Sequence, residues 1–196
     1  VASWHYVNVA RDASTVSYDK CVTGCLLTAI ETHISLLQQA ELLPWPRLQS
    51  LMFLSHWVGD LHQPLHVSFF EDLGGNRTQV TGYDACSNLH GVWDFCLVAA
   101  TGKSRSDLLT ELLALPDADG FDQGTTLSWA QESMDLVTHQ RVQYCRKTRA
   151  GCEPWAGQRY ALSADYQAIN WPVAKRRLAQ AGYRLAGLMN RLMAAP

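Results

Sequence analysis

Apolar residues recur at helical spacing through most of the chain. Leu26, Leu27, Ile30, Ile34 and Leu37 share one face of a stretch from about Thr23 to Leu43, and Pro44 and Pro46 stop that pattern. Leu48, Leu51, Met52 and Leu54 restart it from about Arg47 to Leu61. Further helices are predicted from about Ser87, capped by Ser87 or Asn88, over Ser106 to Leu115 with Ser106 as N-cap, and over Leu127 to Tyr144. Ile169, Val173, Leu178, Leu185, Leu188 and Met189 mark a last, long amphipathic helix over Asp165 to Met193, bent at Pro172.

The stretches between read as turns and short extended pieces. The opening SWHYVNV alternates briefly and is expected to be extended, leading into a polar loop over Ala10 to Tyr18. Gly74, Gly75 and Gly82 make Val67 to Tyr83 a loop or small hairpin, Asp117 to Gly124 a polar loop, and Cys145 to Gly157 irregular and basic. The expected fold is mainly α with a minor β-hairpin, one domain over residues 1–196, long enough to bury a substantial core.

Charge narrows the partners. With 16 Lys and Arg against 18 Asp and Glu, the chain is near balance at −2, so no basic field is available to hold duplex DNA by its phosphates. No apolar run approaches the length of a membrane span, and none is expected. Six cysteines fall in three close couples, Cys21 with Cys25, Cys86 with Cys96 and Cys145 with Cys152. An even count in near neighbours points to disulfides and a secreted, periplasmic or other oxidising compartment, with the connectivity open. The chain opens on Val1, and a processed or truncated polypeptide with its leader upstream is expected.

The chemistry concentrates between His56 and Asp94, which reads HWVGDLHQPLHVSFFEDLGGN, then NLHGVWD. Positions i and i+4 lie about 40° apart around a helix, so His56 with Asp60, and His90 with Asp94, each form a ligand pair on one face. Pro64 should end the first helix near Gln63 and let His66 swing away from the His56 row toward a second metal. Neutral imidazole and carboxylate are ligands that zinc accepts, and three of them with a free position make a hydrolytic site. His62 lies about 240° round the axis from His56 and is assigned a packing or supporting role. His33 and His139 are expected on the surface, and His5, between Trp4 and Tyr6, is open between ligand and packed core.

The segments WHYVN, CVTGC, HWVGDLHQPLH, GGN and NLHGVWD, in this order, together with the C-terminal GYRLAGLMN, resemble the S1/P1 family of zinc-dependent nucleases and 3′-nucleotidases, whose architecture zinc phospholipases C share more distantly. The resemblance implies a helical fold with a cluster of up to three zinc ions in a cleft. It implies that His5, His56 and Asp60 serve one zinc, that Asp60 also reaches a neighbouring one, and that His66, His90 and Asp94 hold the second. Asn76 of the GGN would meet the scissile phosphate beside the catalytic Asp60. Tyr6 and Asn8 would stack against and hydrogen-bond the nucleobase, with Asn8 standing where many relatives carry Asp. The Trp and further ligands that open family members have no counterpart before His5, so two sites are largely provided here, and a separate N-terminal chain or fragment is a candidate partner.

The expected activity is cleavage of single-stranded DNA or RNA to 5′-mononucleotides and removal of 3′-phosphate from 3′-mononucleotides. Two alternatives accompany it. A phospholipase C-like phosphodiesterase would need apolar loops at the cleft, for which Phe69 and Phe70 are the candidates, and a non-catalytic metal-binding fragment would retain little zinc.

Overall fold

The computed structural model describes residues 2–115, 120–149, 151–154 and 159–194. Among these the architecture is mainly helical. Helix α1 (Leu26–Leu37) packs on α2 (Pro44–His62), and the long α7 (Tyr166–Met193) also packs against α2. Between them come α3 (Leu89–Gly91), a π-helical turn (Val92–Cys96), α4 (Leu97–Ala99), α5 (Arg105–Leu113) and α6 (Thr126–Val137). Leu26, Leu27, Ile30, Leu54, Trp57, Leu61, Leu65, Val92 and Trp129 form the centre of the core, each at most 1% exposed.

Several element limits differ from the sequence reading, each for a local reason. α1 stops at Leu37, six residues early, and α2 begins at Pro44, because proline is favoured in the first turn, where its missing N–H has no partner to lose. Ser104, and not Ser106, caps α5, its hydroxyl accepting from Asp107 N. Helix α6 ends at Val137, followed by a 3-10 turn at Gln140–Val142, so His139 lies between elements, exposed. Asn88 caps α3 by accepting from Gly91 N, one of the two residues proposed.

The strands are short and sit where the pattern showed least. The opening stretch is a 3-10 turn (Ala2–His5) followed by β1 (Val7–Val9), not one extended segment. β1 pairs in parallel with β2 (Val67–Phe69), and β3 (Val80–Thr81) pairs in parallel with β6 (Tyr160–Ala161), so the glycine-rich stretch from Val67 to Tyr83 is a loop and no hairpin. The hairpin instead joins β4 (Cys145–Thr148) to β5 (Gly151–Pro154), in the segment expected to be irregular. The disulfides are Cys21–Cys25, Cys86–Cys96 and Cys145–Cys152, the last bridging that hairpin. The expected loop at Asp117 to Gly124 and the end of the Cys145 to Gly157 segment fall partly outside the described residues. No helix among the described residues is long and apolar enough to cross a membrane.

Candidate metal centre

Two groups of three side chains emerge: His5 with His56 and Asp60, and His66 with His90 and Asp94. Helix α2 supplies His56 and Asp60 from adjacent turns, and the chain then breaks at Gln63 into a 3-10 turn (Pro64–His66) that carries His66. The β1–β2 ladder brings in the N-terminal part. Its register sets Val7 beside Val67, so His66, just before β2, lies against the residues that lead into β1 and hydrogen-bonds the carbonyl of His5 across 61 positions of sequence. His90 and Asp94 come from α3 and the π-turn that follows it, an irregularity frequent where a helix presents functional side chains.

In the first group, His5 Nδ1 lies 3.0 Å from Asp60 Oδ2, His56 Nε2 lies 3.2 Å from the same oxygen, and the two nitrogens are 3.1 Å apart. In the second, Asp94 spans the two histidines, with Oδ1 3.2 Å from His66 Nε2 and Oδ2 3.2 Å from His90 Nε2. A tetrahedral zinc with bonds of about 2.0–2.1 Å sets its ligand atoms about 3.3 Å apart, so all three separations in the first group, and the two imidazole–carboxylate separations in the second, match the edges of such a polyhedron.

Backbone carbonyls choose which nitrogen each second-group histidine presents. A carbonyl oxygen only accepts, so His66 Nδ1 carries the hydrogen it donates to His5 O at 2.5 Å, and His90 Nδ1 donates to Gly74 O at 2.7 Å. Both Nε2 atoms are turned toward Asp94, where each donates to the carboxylate when protonated and offers a lone pair to a metal when not. Burial opposes charge on His66, but hydrogen bonding to Asp94 and the neighbouring Asp60 outweigh it and raise its pKa. Burial likewise opposes ionisation of Asp94, yet hydrogen bonds with His66 and His90 hold its carboxyl far below the usual carboxylate range. Asp60 Oδ2 also lies 3.9 Å from His66 Nδ1, so Asp60 and the His66–His5 hydrogen bond together join the two groups.

The residues around the groups fix these positions. Trp57, 1% exposed, packs edge-on against His5 and His56 at 4.7 and 5.0 Å between ring centroids. Gln63 Nε2 donates to Asp94 Oδ1 at 2.7 Å while its Oε1 accepts from Leu65 N. Asp72 organises the GGN loop: it accepts from Gly75 N and Thr78 Oγ1, takes the Tyr144 hydroxyl, and pairs with Arg11 at 2.9 Å. Burial and that carboxylate push the Tyr144 hydroxyl far above the ordinary phenol range. None of these roles of Trp57, Gln63 and Asp72 is legible in the spacing of the ligands. Asp72, three residues before Gly75, is the turn-favouring residue type just ahead of the glycine pair.

The S1/P1 Nuclease family model covers residues 1–194. The chain belongs to the S1/P1 nuclease family. Among its relatives, Endonuclease 3 of Arabidopsis thaliana is 31% identical over 98% of this chain and 72% of its own length, and Endonuclease 4 is 31% identical over 90% and 62%. Nuclease S1 of Aspergillus oryzae is 30% identical over 92% of this chain and 67% of its own length.

The remaining residues that the S1/P1 resemblance pointed to are placed as follows. Tyr6 is 39% exposed, with its carbonyl tied to Leu26 N, and Asn8 stands in β1 opposite Ser68. Asn76 is exposed and donates through Nδ2 to Leu73 O at 2.9 Å, on the loop whose Gly75 carbonyl accepts from His90 N. His33, expected on the surface, is 5% exposed and donates to Ala29 O among Trp4, Phe53 and Trp57, because the α1 face that carries it packs on α2. Of the two phenylalanines weighed for membrane docking, Phe69 is buried in β2 and Phe70 is 55% exposed.

Proposed function

We propose that this chain is a zinc-dependent phosphodiesterase that cleaves single-stranded DNA and RNA to 5′-mononucleotides and removes the 3′-phosphate from 3′-mononucleotides, acting as one domain over residues 1–196. The observation that carries the reading is the pair of imidazole–carboxylate groups linked through Asp60, with the His66 and His90 tautomers fixed by backbone carbonyls. Membership of the S1/P1 nuclease family supports it.

Bound zinc supplies Lewis acidity at phosphoryl oxygens and water acidic enough to react near pH 7. The chain's own residues set the geometry. Asp60 holds the spacing between the two groups, and Gln63 orients Asp94. Asn76 uses one amide N–H on Leu73 O and offers the other to a phosphate oxygen, where negative charge grows during displacement at phosphorus. Tyr6, 39% exposed, stacks on an unpaired base, and Asn8 meets the base edge with both a donor and an acceptor, so it accepts more bases than a carboxylate would. Single strands are the preferred substrate because stacking needs an unpaired base and the net charge of −2 gives no duplex-tracking field. The three disulfides support a secreted or periplasmic site of action.

The test is product analysis of the zinc-loaded chain with single-stranded DNA, duplex DNA, a 3′-nucleoside monophosphate and phosphatidylcholine vesicles. Release of 5′-mononucleotides from single strands and of phosphate from the 3′-monophosphate is expected. Headgroup release without nucleotide release would replace the reading with a phospholipase, and no hydrolysis of any of them would leave only a metal-binding domain.

A further inference from the structure

The last carbonyls of a helix have no partner within it and need one elsewhere. At the end of α2 each described partner is specific. Val58 O accepts from His62 Nδ1, Asp60 O from Gln63 N, Leu61 O from Ser133 Oγ at 2.5 Å, and His62 O from Arg177 Nε at 3.2 Å. Ser133 belongs to α6 and Arg177 to α7, so two separate helices close the end of the helix that carries His56 and Asp60.

Arg177 is 4% exposed, and each of its N–H groups has an acceptor. NH1 donates to Glu132 and Gln180, NH2 to Trp129 O and to Ser133 Oγ at 2.7 Å. The Ser133 hydroxyl thus passes the guanidinium's hold on to Leu61 O. Two turns further along α7, Arg184 is also 4% exposed; it grips Glu132 through both terminal nitrogens and donates to His62 Nε2 at 2.8 Å. Burial and the two neighbouring cations keep His62 neutral, which leaves that nitrogen free to accept.

Two buried cations sharing one carboxylate are costly, and well-packed apolar side chains fill such space at least as favourably. What the guanidiniums add is direction. They also place positive charge at the C-terminal, negative end of α2. Asp60 lies two residues before the clamped His62 and His66 four after it, and Gln63, which orients Asp94, is the next residue along. We propose that Arg177 and Ser133 are positioning residues for the metal centre, fixing the end of α2 so that Asp60 and His66 stand at the separation both ligand groups need. The inference rests on the reading that these groups hold zinc.

The test uses the full chain with Ser133→Ala, Arg177→Lys and, as a stability control, Leu27→Ala in the α1 core. Zinc affinity is read by competition with a chromogenic chelator below the melting transition, beside the melting temperature of the metal-free protein and steady-state kinetics on a single-stranded oligonucleotide. Loss of a hydrogen bond made by a metal ligand itself weakens binding by about 10–100-fold; Ser133 holds Leu61 O, one residue from Asp60, and Ser133→Ala is expected to weaken zinc binding and lower kcat at the low end of that range, with KM little changed. Arg177→Lys keeps the charge but loses the fork and is expected to fall at least as far. Leu27→Ala should lower the melting temperature and leave zinc affinity near wild type. Wild-type affinity in Ser133→Ala, or affinity losses that track melting temperature across all three variants, overturns the positioning role. If the wild-type chain itself takes up no zinc, the metal reading falls and the positioning role with it.

Discussion

The Gly74 carbonyl accepts from His90 Nδ1 at 2.7 Å, so a glycine on the GGN loop decides which nitrogen of a candidate metal ligand faces Asp94. Gly74 holds φ +62°, and a Cβ there would stand 2.5 Å from Leu65 O, directly before His66. Gly74→Ala therefore strains both the loop and the His66 turn, at about 1–3 kcal/mol for the left-handed backbone alone. A lower melting temperature together with weakened zinc binding is the expected result. Unchanged zinc binding at the lower stability would separate the loop from the metal centre.

Asn76 stands outside both ligand groups, so its loss should spare zinc uptake and strike turnover. Removing one donor from a developing oxyanion costs about 10²–10³ in kcat, and Asn76→Ala is expected to fall in that range at full zinc content. Single-turnover kinetics alongside metal analysis checks this. Wild-type turnover would remove Asn76 from the reaction.

Tyr6 and Asn8 should separate affinity from preference. Stacking one base is worth about 1–3 kcal/mol, so Tyr6→Ala is expected to raise KM for oligonucleotides roughly tenfold or more with little change in kcat. Asn8→Asp replaces a donor-and-acceptor amide with an acceptor alone and should narrow the range of bases cleaved. Product sequencing after partial digestion of a mixed-sequence single strand shows whether it does.

Glu132 makes the fold acid-sensitive in a defined direction. Burial opposes its ionisation, but hydrogen bonds from Arg184 and Arg177 outweigh burial and hold its pKa below 4.5. The folded chain therefore takes up its proton less readily than the unfolded chain. Its stabilising contribution is complete above pH 4.5 and is lost as pH falls through the folded value. Glu132→Gln should be less stable than wild type at pH 7, with the gap closing below pH 4.5. Melting curves of the metal-free proteins against pH provide the check, and a constant gap from neutral to acid pH would speak against this role.

What was legible in the sequence was local. The i,i+4 spacing of His56 with Asp60 and of His90 with Asp94 carries its own geometry once a helix is granted, and Pro64 announces the break that frees His66. What was hidden depends on residues far apart in the chain. The β1–β2 ladder that brings His5 to His66 is three residues long in each strand, too short for an alternation pattern to stand out. His33 reads as an isolated polar residue and is buried, because the α1 face that carries it packs on α2. Arg177 and Arg184 look like the solvent face of an amphipathic helix; only the placement of α6 shows that Glu132 and Ser133 wait for them. The early end of α1 is hidden because Pro44 reads as a stop, when it is the first residue of the next helix.

Calorimetric titration of zinc into the full chain at neutral pH tests the metal centre most directly. Uptake of two ions per chain is expected, with one lost in His90→Ala and the other retained. No uptake by the wild-type chain, or uptake that survives replacement of His5, His56, Asp60, His66, His90 and Asp94 together, would contradict it.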